Sequence, residues 1–429
     1  MKNINQEVLL RSLSVAVSMF LASAPILLVI PSMMAKVGFD SSAVFLAIAF
    51  SCAVSTCIVS FACNLPLILG PGIAGASYLA IHLGMQLSLS LPLLVALSLG
   101  ATLLYFLTWL AKWPSIMLKE LGPIMSRAIS AMLGVFLIRL TLASGFSELG
   151  CQGWVEGLGK MALLWGIPVL VIEWSQRKSW SMSYLLGMGV CYLLSALIDE
   201  VHPQAASHFI ENSQQGTWPS VSELWQSVWL AKGFLPACFG LWLIQTIDVA
   251  GCTAAMSQLA HERDWTVKPI ASDRKIQGFA PLGNLLGFMF GPLGFSGIHC
   301  LHLSSALALC SPQALYPRLT ACLVAGLFVV CGALSQVVDK LPFYLASPVV
   351  LWVALAMLRQ LPWNIRKEGN EVIAGAVMAL SVAFTCDIAV SMALGFWMVL
   401  LIRYSQKQKI GTPSWLMALG FGAYMYLVR

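Results

Sequence analysis

An acidic side chain lies in the middle of a long apolar run, at Asp248 within residues 244–252. An aspartate at the centre of a membrane-spanning helix costs about 2.5–3.5 kcal/mol on insertion scales, so residues of this kind usually serve a function. Gln245, Asp248 and Cys252 fall at i, i+3 and i+7 and would share one helix face. The pattern favours a carboxylate that binds a ligand or carries a proton. The alternative is a structural aspartate bonded to broken backbone.

Two histidines form a second candidate group. His299 and His302 are three residues apart, with Ser296 before them and Ser304 after them. An imidazole in a polar cavity can donate to a ligand or exchange a proton near neutral pH. Two imidazoles with Asp248 could also hold a metal. No further His or Cys has suitable spacing and there is no HExxH motif, so we expect no metal and no cofactor. Polar packing is the remaining interpretation.

Gly-Pro sequences interrupt two apolar runs in similar contexts, LGPGIAGASY at 69–78 and FGPLGFSGIH at 290–299. Proline removes a backbone donor and clustered glycine lowers the cost of non-helical backbone. Unwound backbone is tolerated in a bilayer only where protein buries it or where it lines a cavity. We therefore expect half-helices that start near Ala74 and Gly297 and direct backbone N–H groups toward a ligand. A kink that serves only packing is the plainer alternative.

A weaker set of polar residues follows the first Gly-Pro sequence, at Ser77, Tyr78 and His82. The Tyr78 ring could stack on a flat ligand, although an aromatic residue at helical spacing is more often part of the packing. Three further charged residues, Arg139, Glu173 and Asp387, lie in or near apolar runs. We interpret these three as mainly structural.

The composition identifies the class of protein that must position these residues. Of 429 residues, 59% are hydrophobic and 10% are charged, and the mean hydropathy is +0.83. A soluble domain carries about 25% charged residues, so a soluble enzyme, a disordered scaffold and a nucleic-acid-binding protein are excluded. The twelve cysteines include no CxxC pair and lie mostly in apolar runs, where cysteine acts as a small apolar residue. The chain is predicted to be an all-α polytopic membrane protein.

About 14 apolar runs are long enough to span a bilayer, for which about 20 residues are needed. They lie at 12–35, 41–63, 65–84, 89–110, 123–143, 160–175, 181–198, 233–258, 276–291, 294–310, 318–338, 342–359, 370–386 and 388–404. A last apolar stretch, 413–428, is either a short extra helix or an interfacial one. The first helix is expected to be an uncleaved insertion signal.

Basic residues predict the orientation of these spans. If the amino terminus is cytoplasmic, Lys and Arg should follow the even-numbered spans. They do, at Lys112, Lys119, Arg127, Arg177, Lys178, Arg263, Lys268, Arg274, Lys275, Arg318, Arg359, Arg366, Lys367, Arg403, Lys407 and Lys409. The opposite side receives only Lys36, Lys160, Lys232 and Lys340. We expect a multi-pass protein of the cell inner membrane with a cytoplasmic amino terminus.

The spans divide into two halves, 1–215 and 216–429, with seven spans in each. An odd number of spans per half places the two copies in opposite orientation, as in the inverted repeats of many secondary transporters. The Gly-Pro breaks fall in the third span of each half, which are spans 3 and 10 of the chain. Matched breaks of this kind are typical of a binding site near the bilayer midplane.

Four stretches carry a resemblance to a known family. They are LGPGIAGASY at 69–78, AISAMLGVFL at 128–137, DVAG at 248–251, and AFTCDIAVSMALGF at 383–396. They resemble, in order, the third-span APGMGLNAYFAF motif, the fifth span, the eighth-span DTAG and the late LTxSIAxGIAxGF segment of the nucleobase–cation symporters. That family is also called the nucleobase/ascorbate transporters or xanthine/uracil permeases. The likeness is closest to the hypoxanthine/guanine/adenine permease branch.

The resemblance implies seven plus seven inverted spans. A core domain of spans 1–4 and 8–11 would move against a gate domain of spans 5–7 and 12–14. It implies a base bound between the broken third and tenth helices, with the eighth-span carboxylate hydrogen-bonded to the ring; Asp248 matches that carboxylate. A homodimer is also implied.

Three positions depart from the family pattern. The purine branch has a second aspartate where this chain has Gln245, and the usual tenth-span glutamate is replaced by Leu303. The uracil-type relatives have a histidine where this chain has Cys252. Either His299 and His302 have taken over the role of the glutamate, or the ligand is not a nucleobase.

The sequence thus predicts a secondary transporter, and not an enzyme, for a nucleobase such as hypoxanthine, guanine or adenine, with a proton as coupling ion. Substrate-binding candidates are Asp248, Gln245, Ala74, Ser77, Tyr78, Ser296, Gly297 and His299, and proton-coupling candidates are Asp248, His299 and His302. One alternative is an anion or organic-acid permease with the same architecture, for which a carboxylate at the site is unfavourable. A more distant alternative is an intramembrane metalloenzyme built on Asp248, His299 and His302.

Overall fold

The computed structural model describes residues 6–65, 67–148, 154–178, 180, 182–197, 220–230, 234–262, 273–289, 299–302, 317–335, 343–359, 371–385 and 387–427. These residues are helical almost throughout, which confirms the predicted all-α architecture. Within them, five helices are long and apolar enough to cross a membrane: Ser12–Ala35, Ser41–Cys63, Leu91–Leu110, Glu156–Arg177 and Ile388–Ser405.

The elements up to the middle of the chain are α1 (Gln6–Ser23), α2 (Pro25–Ala35), α3 (Ser41–Cys63), β1 (Ile68–Pro71), α4 (Ile73–Ser77), the π-helix π1 (Tyr78–Gln86), α5 (Leu91–Leu110), α6 (Trp113–Glu148), α7 (Trp154–Met161), the π-helix π2 (Ala162–Gly166), α8 (Ile167–Arg177) and α9 (Ser183–Leu197). After them come α10 (Val221–Leu230), α11 (Phe234–Glu262), α12 (Asp273–Gln277), α13 (Ala280–Met289), β2 (His299–His302), α14 (Pro317–Ala333), a 3-10 turn (Phe343–Leu345), α15 (Ser347–Leu358), α16 (Glu371–Thr385), α17 (Ile388–Ser405) and α18 (Thr412–Leu427).

The chain forms two compact units. The first contains residues 1–76, 143–218 and 252–352, and the second contains 77–142, 219–251 and 353–429. Each unit takes segments from both of the predicted halves, 1–215 and 216–429. The division into those two repeats stays a prediction.

Helix α3 lies at the centre of the first unit, where it packs against α2, α13 and α14. The helix starts at Asp40, whose carboxylate accepts hydrogen bonds from the Ser42 and Ala43 amides and so binds two of the free N–H groups of the first turn. Helix α14 also packs against α1, where the rings of Phe20 and Phe328 meet edge to face at 5.0 Å. Apolar packing around α3 therefore holds β1, the strand that follows it.

The second unit contains the pair α16 and α17, with α18 packed against α17. The ring of Phe421 on α18 lies 5.5 Å from Phe396 on α17 and 6.5 Å from Phe239 on α11. Met417, Ala418 and Tyr424 of α18 are buried as well. The stretch 413–428, which the sequence left open, is therefore a helix with one face packed in the protein.

Several predicted spans differ from the observed helices. The span 12–35 is divided at Ala24, because Pro25 cannot donate to the turn before it. The span 123–143 is part of the much longer α6, which begins ten residues earlier at Trp113. The span 160–175 is made of α7, π2 and α8 in succession.

One helix, α10, lies between the predicted spans 181–198 and 233–258 and was not predicted. Helix α10 begins with a reciprocal cap, in which the Ser220 amide donates to Glu223 Oε2 at 2.7 Å and the Glu223 amide donates to Ser220 Oγ at 3.3 Å. The spacing Ser-x-x-Glu is a known signal for a helix start. The sequence therefore contained the information for this helix.

Candidate functional site

The first Gly-Pro break forms a short strand that pairs with the residues directly after the second Gly-Pro sequence. Strand β1 runs antiparallel to β2, with Ile68 opposite His302 and Pro71 opposite His299. All four residues of β1 are buried. Extended backbone inside a membrane protein needs hydrogen-bonding partners, and each strand provides them for the other. The break of the third span is thus not an independent kink, because its strand pairs with the segment that directly follows the second Gly-Pro sequence.

The strands change two details of the predicted site. The half-helix expected to start near Gly297 is not formed at 299–302, which is extended, so the helical i and i+3 relation expected for His299 and His302 is wrong. In the first break, the Ala76 amide donates to the Gly72 carbonyl at 3.0 Å and is not available to a ligand. Ser296 and Gly297 lie outside the described residues, as do the side chains of the two histidines.

Hydroxyl groups of α3 hold the middle of β1. Ser55 Oγ donates to the Leu69 carbonyl at 2.7 Å, and the Leu69 amide donates to Thr56 Oγ1 at 3.3 Å. One turn later, Ser60 Oγ donates to the Leu67 carbonyl and accepts from the Leu67 amide, both at 3.3 Å. Ser55, Thr56 and Ser60 are all buried. The polar face of α3 therefore hydrogen-bonds to backbone groups of Leu67 and Leu69, in addition to the pairing of β1 with β2.

We expect Ser55→Ala and Thr56→Val to lower the free energy of unfolding by about 1–3 kcal/mol each, because each leaves a buried backbone group of Leu69 without its partner. Thermal unfolding of the detergent-purified protein measures the effect. Ser405→Ala is the matched control, since Ser405 Oγ donates to the Ile402 carbonyl within its own helix in an exposed position. Equal unfolding midpoints for Ser55→Ala and Ser405→Ala would contradict the role given to Ser55.

The eighth predicted span, 233–258, is confirmed as helix α11, and Asp248 is partly buried near its middle. The turn before it is anchored by two hydrogen bonds. Thr246 Oγ1 donates to the Trp242 carbonyl at 2.7 Å, and Trp242 Nε1 donates to Thr108 Oγ1 at 2.8 Å. Gln245 and Asp248 are three residues apart on this helix, so they share a face as predicted.

Gln245 is completely buried, yet neither its amide nitrogen nor its amide oxygen has a hydrogen-bonding partner among the described residues. A primary amide can donate two hydrogen bonds and accept two. An unmade hydrogen bond of this kind costs about 1–3 kcal/mol. A buried amide without a described partner is a candidate for hydrogen bonding to a ligand.

A cluster of four ionisable side chains lies in the second unit, and we call it the His82 cluster. It consists of Tyr78, His82, Asp387 and Tyr424. The Tyr78 and His82 rings stack at 5.1 Å with an interplanar angle of 22°. His82 Nε2 lies 3.5 Å from Asp387 Oδ2, and the two tyrosine hydroxyls are 2.6 Å apart. The ring of Tyr78, a substrate-binding candidate, is thus already stacked and its hydroxyl already bonded.

Arg139 and Glu173, which the sequence analysis interpreted as structural, form hydrogen bonds to other helices. Arg139 Nη1 donates to the Val382 and Ala383 carbonyls near the end of α16. Glu173 Oε2 accepts from Trp352 Nε1 at 3.0 Å, and Glu173 Oε1 pairs with Arg177. Arg139 thus binds carbonyl groups at the end of α16, and Glu173 binds an indole of α15 and a guanidinium of its own helix, which are structural roles.

Asp387 does more than the structural role predicted for it. Its Oδ1 accepts from the Val390 amide at 3.0 Å and caps α17, while Oδ2 faces His82. Sequence analysis singled out both residues but did not connect them, because nothing in their local sequence indicates a contact between the third and the last spans. The described residues contain no group of three or more His, Cys, Asp or Glu side chains that could hold a metal ion.

Comparison with known proteins agrees with this architecture. No family model matches the chain. The chain is 23% identical over 414 residues to the guanine/hypoxanthine permease GhxP of Escherichia coli O157:H7, a match that covers 92% of this chain and 88% of that protein. This match confirms the resemblance to the nucleobase permease family.

Solved transporters share the fold at low sequence identity. The transmembrane domain of the cyanobacterial bicarbonate transporter BicA matches with a TM-score of 0.57 and 14% identity, over 91% of this chain and 98% of that one. The murine anion transporter Slc26a9, in the inward-facing state, matches with a TM-score of 0.58 and 12% identity, over 95% of this chain and 70% of that one. These likenesses show the fold, and together with the permease match they support a multi-pass membrane transporter with the inverted-repeat fold.

Proposed function

We propose that this chain, which resembles the nucleobase permeases over almost its whole length, imports a purine nucleobase with a proton as coupling ion. The proposed substrates are hypoxanthine, guanine and adenine. One relative is a guanine/hypoxanthine permease, and its match extends over 92% of the chain. The proposal includes the inner membrane of a bacterial cell, a cytoplasmic amino terminus and a homodimer.

The unsatisfied amide of Gln245 carries the proposal. Its neighbouring donor and acceptor match the edge of a purine, which offers an acceptor and a donor side by side: O6 and N1–H in hypoxanthine and guanine, or N7 and the N6 amino group in adenine. Two hydrogen bonds between a planar amide and a planar ring orient the ligand, and they cost little because the amide has no described partner to give up. The site is thus suited to a neutral, flat, hydrogen-bonding ligand.

Asp248 extends this surface by one turn of α11. A carboxylate accepts hydrogen bonds only, so it suits the ring N–H groups of a base. Hydrogen bonds to a charged acceptor are about twice as strong as neutral ones, and more so away from water. Gln245 would then form two hydrogen bonds to the edge of the base, and Asp248 would accept a hydrogen bond from a neighbouring ring N–H group.

An anion or organic-acid permease is the second candidate, because the solved transporters with this fold include a bicarbonate transporter and an anion transporter. An anion next to Asp248 would face like charge, which weakens binding. The carbonyl oxygen of Gln245 would also remain unsatisfied. The electrostatics of α11 therefore favour a neutral base over an anion.

Uptake measurements separate the two candidates. Cells that lack their own nucleobase permeases would express the chain and receive radiolabelled hypoxanthine, guanine, adenine, uracil or xanthine, each with and without a protonophore. Accumulation of a purine that collapses with the proton gradient supports the proposal. No uptake of any base by a well-expressed protein would contradict it, and organic anions would then be tested in the same cells.

Gln245→Met is expected to change function and stability in opposite directions. Methionine has a similar volume and no hydrogen-bonding amide, so the substitution removes an unsatisfied buried group and should raise the free energy of unfolding of the ligand-free protein by about 1–3 kcal/mol. Hypoxanthine uptake should fall at least about tenfold, because two hydrogen bonds to the base are lost. Thermal unfolding and uptake are measured on the same preparation. A variant that is less stable and takes up hypoxanthine normally would contradict the role of Gln245.

A further inference from the structure

The His82 cluster brings an acid and a base together from distant parts of the chain. His82 lies in π1, the π-helix that follows the first break, and Asp387 lies at the start of α17. Both side chains are mostly buried, with 13% of His82 and 8% of Asp387 exposed. Their separation of 3.5 Å is within ion-pair range but longer than a strong hydrogen bond. The pair is therefore close enough to form an ion pair when the imidazole carries a proton.

Each partner is placed so that an ionised form has a stabilising neighbour. The carboxylate of Asp387 caps α17, and the N-terminus of a helix favours a negative charge. The imidazole of His82 stacks on the Tyr78 ring at 5.1 Å, a distance at which an aromatic face attracts a cation. The ionisable groups that the described residues bring to His82 are Tyr78, Asp387 and Tyr424. A proton on His82 would thus meet one carboxylate and one aromatic face.

We propose that His82 and Asp387 form a proton-binding pair in the break of the third span. A proton from the water-filled side binds the imidazole, which becomes an imidazolium paired with the Asp387 carboxylate, and it leaves to the other side when the pair separates. The role of this proton in uptake rests on the proposed function. This pair differs from the proton-coupling candidates of the sequence analysis, Asp248, His299 and His302.

The surroundings of the pair connect it to α11, the helix that carries the candidate binding residues. Tyr78 stacks on His82 and bonds through its hydroxyl to Tyr424 on α18. A Cβ atom at Gly240 of α11 would lie 2.7 Å from the Tyr78 hydroxyl, so this helix accommodates the tyrosine pair only because Gly240 has no side chain. Gln245 follows five residues later on the same helix. A change of charge at His82 therefore acts on a ring packed directly against α11.

Infrared difference spectroscopy tests the pair without any substrate. Purified protein in lipid is recorded at pH 5 and at pH 8. We expect an imidazole ring band that is absent from His82→Gln, and a carboxylate band that is absent from Asp387→Asn and shifts in the wild type because its partner becomes charged. If the difference spectra of wild type and His82→Gln are identical, the pair binds no proton in this range and the proposal is overturned.

Transport then tests the coupling. Proteoliposomes with an internal pH dye receive external hypoxanthine, and the proton influx that accompanies uptake is recorded. His82→Gln and Asp387→Asn should lose at least nine-tenths of this influx but keep exchange of internal for external hypoxanthine, which needs no net proton movement. Asparagine caps a helix as well as aspartate does, so Asp387→Asn removes the charge and keeps the cap.

Asp40→Asn is the matched control, since Asp40 caps α3 in the same way and should keep the full proton influx. Full proton influx in His82→Gln would overturn the proposal. A wild type that neither exchanges nor accumulates hypoxanthine would refute the proposed substrate, while the infrared spectra would still decide whether the pair binds a proton.

Discussion

Asp248→Ala is expected to abolish purine uptake while the protein still reaches the membrane in normal amounts. Asp248 is the acidic residue of the middle of α11, and it shares a face with the unsatisfied amide of Gln245. Truncating one partner of a buried, charge-assisted hydrogen bond costs about 2–5 kcal/mol, which corresponds to a loss of binding between about thirtyfold and several thousandfold. At a substrate concentration below saturation, uptake should fall to a few per cent or less.

The measurement is initial uptake of radiolabelled hypoxanthine, normalised to the amount of protein in the membrane. Asp248→Asn keeps the size of the side chain and should also fail, because the amide loses the charge and offers N–H groups where an acceptor is needed. Glu156→Ala is the control, since Glu156 is exposed and pairs with Lys160 one turn along its own helix. Normal uptake by Asp248→Ala would disprove the placement of the substrate on α11.

Gly134→Leu is expected to be the most destabilising of the substitutions considered, with a loss of about 3 kcal/mol or more in the free energy of unfolding. A Cβ atom at Gly134 of α6 would lie 2.6 Å from the Ala354 carbonyl oxygen and 3.1 Å from the Leu358 amide nitrogen of α15. Both are backbone atoms, which cannot rotate away as a side chain can. Small residues allow helices in a membrane to approach this closely, and a larger side chain forces them apart.

Thermal unfolding in detergent and the yield of monodisperse protein measure the effect. Gly189→Leu is the matched control, because Gly189 is also in a helix and a Cβ atom there would have no heavy atom within 4 Å. We expect that variant to unfold at the wild-type temperature or slightly above it, since leucine favours helices more than glycine does. Similar yields and unfolding temperatures for the two variants would contradict the close helix contact.

The membrane class, most spans, the two Gly-Pro breaks and the acid within an apolar run could be predicted from the sequence, because each depends on local composition. The membrane class and most of the spans follow from apolar runs, because the bilayer requires about 20 consecutive apolar residues in a helix. Both breaks could be predicted because Gly and Pro change the conformation and hydrogen bonding of the backbone at their own positions. The carboxylate at Asp248 was identified because an acid inside an apolar run is costly wherever it lies. The family resemblance came from the same short motifs.

Sequence reasoning was less accurate where neighbouring residues decide the outcome. The helix boundaries of the first, fifth and sixth spans differ because kinks, π-turns and continuations past a polar loop depend on packing. The strand at His299–His302 replaced an expected helix, since extended backbone is stable there only beside β1. Helix α10 could have been predicted from its Ser220 and Glu223 cap, a signal that is local after all.

Only the tertiary structure decided which distant polar groups meet. Tyr78 and Tyr424 bond across 346 residues of sequence, and His82 faces Asp387 from the other end of the chain. Buried polar groups must find partners because leaving them unsatisfied is costly in a medium of low dielectric constant. That requirement can be inferred from sequence, but the identity of each partner depends on how the helices pack. The sequence by itself therefore predicted a membrane transporter with two broken helices, whereas the fold determined which acid faces which base and buried the amide of Gln245 without a partner among the described residues.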